Sequence, residues 1–240
     1  MIRIAAVLVA AFLFLGPDVA VPEPARAGEP PTPADLRPDI EWRRIPFGAQ
    51  RKRQTAAYSR RHYGQRTYRL TDPKVIVEHY TDGTSFDAAW NHFAANGPHL
   101  GERPGVCAHF LIDTDGTISQ LVNLGIRCRH AIGMNWTAIG IEHVGTSARK
   151  VMGNDAMMRS SRRLTVWLMA RFRISWGNVI GHAEILESRF HRERYASWRC
   201  LTHADFDHDE MRKYRRRLKG LARDLGVPIG AGPRWVDSGC

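Results

Sequence analysis

Apolar positions recur with two periods along this chain, and the alternation between them predicts its elements. Lys74 to Tyr80 is a short β-branched run that ends in His79 and Tyr80, and it predicts a strand opening the core. Ser85 then offers a helix cap, with Phe86, Ala89, Trp90 and Phe93 at helical spacing behind it. Cys107 to Asp113 and Thr117 to Val122 are two further apolar runs. The Asp113-Thr114-Asp115-Gly116 between them predicts a hairpin. Ala138 to Val144 predicts another strand. Ser160 to Ile174 predicts a helix with Leu164, Trp167, Leu168 and Phe172 on one stripe. Asn178 to Gly181 predicts a last short strand, leading into His182. Residues 208–225 predict a very basic helix, stopped by Gly226 and Pro228. Strands alternating with helices argue for an α/β fold.

The N-terminal stretch follows a different pattern. Arg3 precedes an unbroken apolar run from Ile4 to Leu15, followed by Ala25-Arg26-Ala27. This is the pattern of a secretory signal peptide cleaved after Ala27. The run is too short to span a bilayer, which takes about 20 residues, so a lasting membrane anchor is not expected. Residues 28–47 are Pro-rich and without periodicity, and read as a linker; residues 49–63 read as a basic helix.

Composition adds little to the fold and more to the partners. Of 240 residues, 43% are hydrophobic and 25% charged, which excludes a disordered, collagenous or membrane-spanning chain. The net charge of +11 attracts polyanions. For an exported protein, anionic wall polymers are nearer candidates than nucleic acid. Much of the charge lies in Arg51 to Arg53, Arg60-Arg61 and Arg212 to Lys219, where solvated helix faces are an equal explanation. Four cysteines outside the cytosol predict disulfides. Three pairings exist, and chain order favours Cys107–Cys128, flanking the hairpin, with Cys200–Cys240.

His79 and His182 each end a predicted strand, a rigid point from which an imidazole can be aimed into a cleft. With one carboxylate or thiolate they would make three protein ligands to zinc and leave a position open. Along Ala138 to Val144, Ile139, Ile141 and His143 share one face, and Gly140 and Glu142 the other. Glu142 therefore projects away from the isoleucine side, and His143 reads as structural.

Three segments carry a family resemblance. They are Val-Glu-His79-Tyr-Thr; Cys-Ala-His109-Phe-Leu-Ile-Asp-Thr-Asp-Gly-Thr-Ile, continuing through His130-Ala and Asn135-Trp-Thr-Ala-Ile-Gly-Ile-Glu142; and Gly-His182-Ala-Glu, followed by Thr-His203-Ala-Asp205. In this order, over residues 74–206, the chain resembles the zinc N-acetylmuramoyl-L-alanine amidases, the phage lysozyme-like amidases and the animal peptidoglycan recognition proteins. The resemblance implies a central mixed β-sheet flanked by helices, with a zinc amidase domain over residues 66–226. Before it would lie the signal peptide (1–27) and a linker with a basic segment (28–65), and after it a C-terminal tail (227–240). It implies zinc (Zn2+) held by His79, His182 and Asp205, Glu142 as the catalytic carboxylate and His203 stabilising an oxyanion. His109, His130, Asn135 and Trp136 fall in segments that line the family's substrate groove. The implied substrate is peptidoglycan or muropeptides, cleaved between N-acetylmuramic acid and L-alanine, and the implied address is secreted or periplasmic.

Two departures qualify this. His203 stands where cytosolic anhydro-muropeptide amidases have a Lys. The span from His182 to Asp205 is also long, so Cys200, Asp207 and His208 compete for the third ligand position. A peptidoglycan-binding module without catalysis is the alternative, and the ligands and Glu142 argue against it. A basic secreted nuclease would want a phosphate loop or paired acidic metal cluster, and neither is present.

Overall fold

The computed structural model describes residues 31–240, so the predicted signal peptide lies outside the described residues. Six strands form one mixed sheet, in the order β1-β4-β3-β5-β2-β6. They are β1 (Glu41–Trp42), β2 (Val75–Tyr80), β3 (Phe110–Ile112), β4 (Ile118–Gln120), β5 (Ala138–His143) and β6 (Val179–Gly181). Strands β3, β5, β2 and β6 run parallel, while β4 is antiparallel to β3. The β3–β4 turn is the predicted hairpin, with Gly116 at φ 91° and the Asp113 amide donating to the Thr117 carbonyl at 3.0 Å.

The central strands are apolar on both faces because both are covered. One face carries Ile76, Ile139 and Ile141, packed under the helices α4 (Asp155–Phe172) and α5 (His208–Asp224). Each such fully buried aliphatic side chain contributes about 1.5–3 kcal/mol. The opposite face carries Val75, Val77 and Ala138, covered by Ala131 and Met134 from a loop and Ile185 from a short 3-10 helix (His182–Glu187). This thin cover, in place of a long helix, leaves room on this face for a cavity.

Helix starts follow local chemistry. The Ser85 hydroxyl accepts from the Ala88 amide at the head of α2 (Phe86–Ala95), and Asn154 caps α4. Asp207 and Glu210 make a reciprocal capping box on α5. The short α3 (Ala148–Met152), capped by Ser147, has too few apolar positions to show a period.

The segment before β2 behaves differently from its composition. Within the Pro-rich stretch expected to be a linker, Glu41 and Trp42 pair with Ser119 and Gln120 of β4, and Ile45 is buried. A two-residue edge strand is too short for alternation to reveal. Nor is the basic helix α1 (Ala49–Tyr63) only a solvated face. Arg51 is buried, donating to the carbonyls of Phe93 at 2.8 Å and Val106 at 3.0 Å.

Cys107–Cys128 and Cys200–Cys240 are both disulfides. They close loops of 21 and 40 residues, which constrains the unfolded chain by about 3–4 kcal/mol each. The second ties the tail to the loop that carries His203 and Asp205. No helix among the described residues is long and apolar enough to cross a membrane.

Candidate metal centre

The centre lies where β5, β2 and β6 end, at the carboxyl edge of the parallel strands, the usual ligand position in α/β sheets. Strand β2 sits between the other two, with His79 paired in register to Glu142 of β5. Glu78 pairs with Gly181 of β6, so His182, one residue on, stands beside His79. The strict alternation of β2 turns Val75, Val77 and His79 to the loop-covered face, and the same alternation in β5 turns Gly140 and Glu142 there.

Asp205 arrives from the loop before α5. That loop packs directly on the end of β6, where the Ala183 amide donates to the Asp205 carbonyl at 3.0 Å. A Cβ on Gly181 would lie 1.8 Å from the Phe206 carbonyl oxygen. Glycine at 181 is therefore what lets the loop come close enough for Asp205 to reach the histidines. The end of β6 is anchored from behind. Glu184 accepts from the Gly181 amide at 3.0 Å and takes a two-pronged pair from the buried Arg215 of α5, at 2.6 and 2.8 Å.

Three potential ligand atoms converge. His79 Nδ1 lies 3.0 Å from His182 Nδ1 and 3.2 Å from Asp205 Oδ2, and His182 Nδ1 lies 3.3 Å from Asp205 Oδ1. All three residues are buried. Ligand atoms about 2.0–2.1 Å from a tetrahedral ion stand roughly 3.3 Å apart, so the spacing fits a small divalent metal. The donor set, two imidazoles and one carboxylate, suits zinc.

Protonation supports the fit. Burial first, and then the neighbouring His182, push the His79 imidazole down to about 4, against the opposing pull of Asp205. Its neutral form is the one with a lone pair to give. Burial works to raise the Asp205 carboxyl, but its bonds with His182 and His79 outweigh that and hold it well below the ordinary carboxylate range. His79 Nε2 lies 3.0 Å from His130 Nδ1, and His130 Nε2 lies 3.4 Å from the Ala138 carbonyl. That carbonyl can only accept, so His130 donates through Nε2 and its Nδ1 accepts from His79 Nε2–H. The remaining His79 nitrogen, Nδ1, is left bare and faces His182 and Asp205. His130 has room for this because a Cβ on Gly140 would meet its ring at 2.6 Å.

The centre opens on a cavity of about 630 Å³, whose wall includes His130, Glu142, His203 and Arg129. Burial, and then the Asp205 charge, push the Glu142 carboxyl up to about 8. Its Oε2 is enclosed and has no hydrogen-bond partner in the protein. The exposed His203 ring lies 4.9 Å from the ring of His182, centre to centre.

The structure thus gathers His79, His130, Glu142, His182, His203 and Asp205 about one cavity and sets the other expected groove residues behind it. His109 is fully buried, accepting from the Gly140 amide at Nδ1 (3.0 Å) and donating from Nε2 to the Ile126 carbonyl (2.9 Å). Asn135 Oδ1 accepts from the amides of His130 and Ala131, both at 2.8 Å, and its Nδ2 donates to the Tyr63 hydroxyl. Trp136 donates to the Phe190 carbonyl at 3.1 Å under the Arg192 guanidinium. His109 fixes β5, Asn135 fixes the His130 loop, and none of the three lines the cavity. Of the competing third ligands, Cys200 is in a disulfide, Asp207 caps α5, and His208 pairs with Glu184 at 2.8 Å. Arg129 escaped sequence reasoning. It is buried, donating to the carbonyls of His99, Glu102 and Pro104, and nothing in its local sequence marks it.

A curated relative, N-acetylmuramoyl-L-alanine amidase A of Achromobacter lyticus, is 42% identical over 67 residues, which is 28% of this chain and 38% of that protein. Among solved structures, the amidase LysC from Clostridium intestinale aligns with 80% of this chain and 100% of its own, at 18% identity and a TM-score of 0.47. The Drosophila peptidoglycan recognition protein SA aligns with 72% of this chain and 97% of its own, at 17% identity and a TM-score of 0.45. A family model described as N-acetylmuramoyl-L-alanine amidase matches residues 69–195, a span that includes His79, Glu142 and His182 and stops short of His203 and Asp205. That match takes in more than half of the 240 residues, and the chain belongs to the N-acetylmuramoyl-L-alanine amidase family.

Proposed function

We propose that this protein is a zinc-dependent N-acetylmuramoyl-L-alanine amidase, cleaving the amide between N-acetylmuramic acid and the L-alanine of the peptide stem. The observation that carries the reading is the Glu142 carboxyl in the wall of a cavity shared with the His79–His182–Asp205 group. One oxygen of that carboxyl is enclosed without a hydrogen-bond partner, at a cost of about 1–3 kcal/mol; Glu78 Oε2 is also unpartnered, but of the two only Glu142 borders the cavity.

His79, His182 and Asp205 would hold the ion, which supplies Lewis acidity to polarise the amide carbonyl and acidify water. Glu142 acts through its carboxylate as the proton carrier. It takes a proton from the attacking water and returns it to the departing alanine nitrogen, leaving the lactyl carboxylate on the sugar. A carboxyl poised near neutrality suits both transfers. His203 donates a hydrogen bond to the carbonyl oxygen as it gains charge. His130 keeps the His79 tautomer fixed, and Arg129 holds the cavity rim through three carbonyls.

The two disulfides support action outside the cytoplasm, where such bonds persist. The test is mass spectrometry of products from purified muropeptides, with and without a chelator. Free stem peptide beginning in L-alanine, formed only with metal present, is the expected result. Release of sugar fragments or of internal peptide cuts would sink the assignment.

A further inference from the structure

A second concavity, of about 740 Å³, lies between α5 and the C-terminal tail, away from the metal centre. One wall is a helical stripe of Arg212, Arg216, Lys219 and Arg223. The spacing of four, three and four residues keeps these cations on one side of the helix, over roughly 16 Å of its axis at about 1.5 Å per residue. The other wall is aromatic, with Trp176 and the exposed Trp235.

The groove is built from fixed parts. The Trp176 and Gly177 amides donate to the Ile229 and Ala231 carbonyls at 2.8 and 3.2 Å. The Val236 amide donates to Glu187 at 2.9 Å, and the Cys200–Cys240 disulfide closes the tail. Neighbouring positive groups are already engaged. Arg215 is bound to Glu184, Arg212 to Asp209, and His208 to Glu184 and Glu187. Among the described residues, no carboxylate forms an ion pair with Arg216, Lys219 or Arg223. Gly220 also lines the groove, in the interior of α5, where glycine is disfavoured, and a Cβ there would meet nothing within 4 Å. A side chain at 220 would fill space that the helix leaves open.

We infer that this groove binds a phosphodiester-linked polyol or sugar polymer, holding successive phosphates along the Arg216–Lys219–Arg223 stripe. Guanidinium forks match phosphate oxygens, and a row of them matches a repeating anion. Each indole already carries a protein cation over one face, Lys219 at 4.3 Å from Trp176 and Arg215 at 5.4 Å from Trp235. Both indoles are therefore partly covered by protein cations, which leaves less free stacking surface than single-stranded nucleic acid uses. The choice of a wall-type polymer leans on the proposed wall-directed function; the groove and its charge do not.

The test is fluorescence anisotropy of the full chain with a labelled poly(glycerol phosphate), which contains no amide bond, so failure of the amidase reading leaves the result readable. Arg216→Ala/Arg223→Ala is expected to weaken binding at least tenfold at about 50 mM salt, with a smaller gap at about 200 mM. Lys213→Ala/Arg217→Ala removes the same charge from α5 outside the groove and is expected to bind nearly as wild type. Gly220→Leu, which changes no charge, is expected to weaken binding by filling the groove. Equal losses in the two double variants would mean a diffuse field and overturn the site, as would undiminished binding by Gly220→Leu. Tighter binding of an oligothymidylate of equal charge would overturn the ligand class.

Discussion

Glu78 and Glu142 sit on neighbouring strands, and burial pushes both carboxyls up to about 8. They face opposite sides of the sheet. Glu78 lies under α4 and α5, where Thr165 donates to its Oε1 at 2.9 Å and His143 stands 3.8 Å from its Oε2. That side is closed by helices, and Glu78, His143, Ser161 and Thr165 are all buried there. His143 donates to the His79 carbonyl at 2.7 Å and meets Ser161 at 2.9 Å, so it braces β2 from behind. Glu142 faces the loop-covered side, with a cavity in front of it and the ligand group across from it. The same perturbation is therefore structural on one face and usable for chemistry on the other. Access and a partner for the proton separate the two, not the pKa.

The comparison can be broken most severely at the ligand group. Asp205→Ala is expected to lose both bound zinc, measured by elemental analysis, and wall hydrolysis down to background. Stoichiometric zinc in that variant would remove Asp205 from the ligand set. Next comes Glu142→Gln, which keeps shape and removes the proton carrier. Zinc content should stay, and turnover should fall about 10²–10⁴-fold; wild-type turnover would exclude Glu142 from the reaction.

Gly181→Ala probes how the loop reaches the site. The added methyl collides with the Phe206 carbonyl, so the Asp205 loop must move. Activity should drop on the order of 10- to 100-fold, with weaker zinc retention in a dialysis series. An unchanged zinc affinity would show that the loop has slack the packing does not suggest.

Glu78→Gln should have the smallest effect on turnover and a distinct one on stability. The folded state raises the Glu78 carboxyl from its ordinary 4.5 to about 8, so it holds the proton more tightly than the unfolded chain does. That stabilisation is complete below about pH 4.5 and is lost as pH rises through about 8. Glutamine cannot ionise. The variant should therefore gain on the wild type over this window, by on the order of a few kcal/mol at the alkaline end. Thermal melts across the pH range measure it, and a gap independent of pH would mean that Glu78 does not titrate there.

Much of this was legible in the sequence where a short-range rule applied. Ser85 capped a helix, Asp115-Gly116 turned a hairpin, and the alternation in β5 put Glu142 opposite the isoleucines. The cysteine order also matched the disulfides formed. Elements too short to have a period were not legible, namely β1 and α3. His109, Asn135 and Trp136 belong to segments that surround the site, but a segment does not say which way its side chains turn. In three dimensions they hold β5 and the His130 loop in place. Arg129 carries no local mark, since its partners are backbone carbonyls 25 to 30 residues away.

The sequence alone determined five of the six strands, which residues share a face of β5, and that His79 and His182 stand at strand ends, because those properties depend on neighbours within a few positions. Only the tertiary structure decided that Asp205 is the third member of the group. That choice depends on a loop 23 residues beyond His182 touching the end of β6, through a glycine that leaves space for a carbonyl. It also decided which of two similar buried carboxylates meets a cavity, since a strand's two faces become different only when something packs on them.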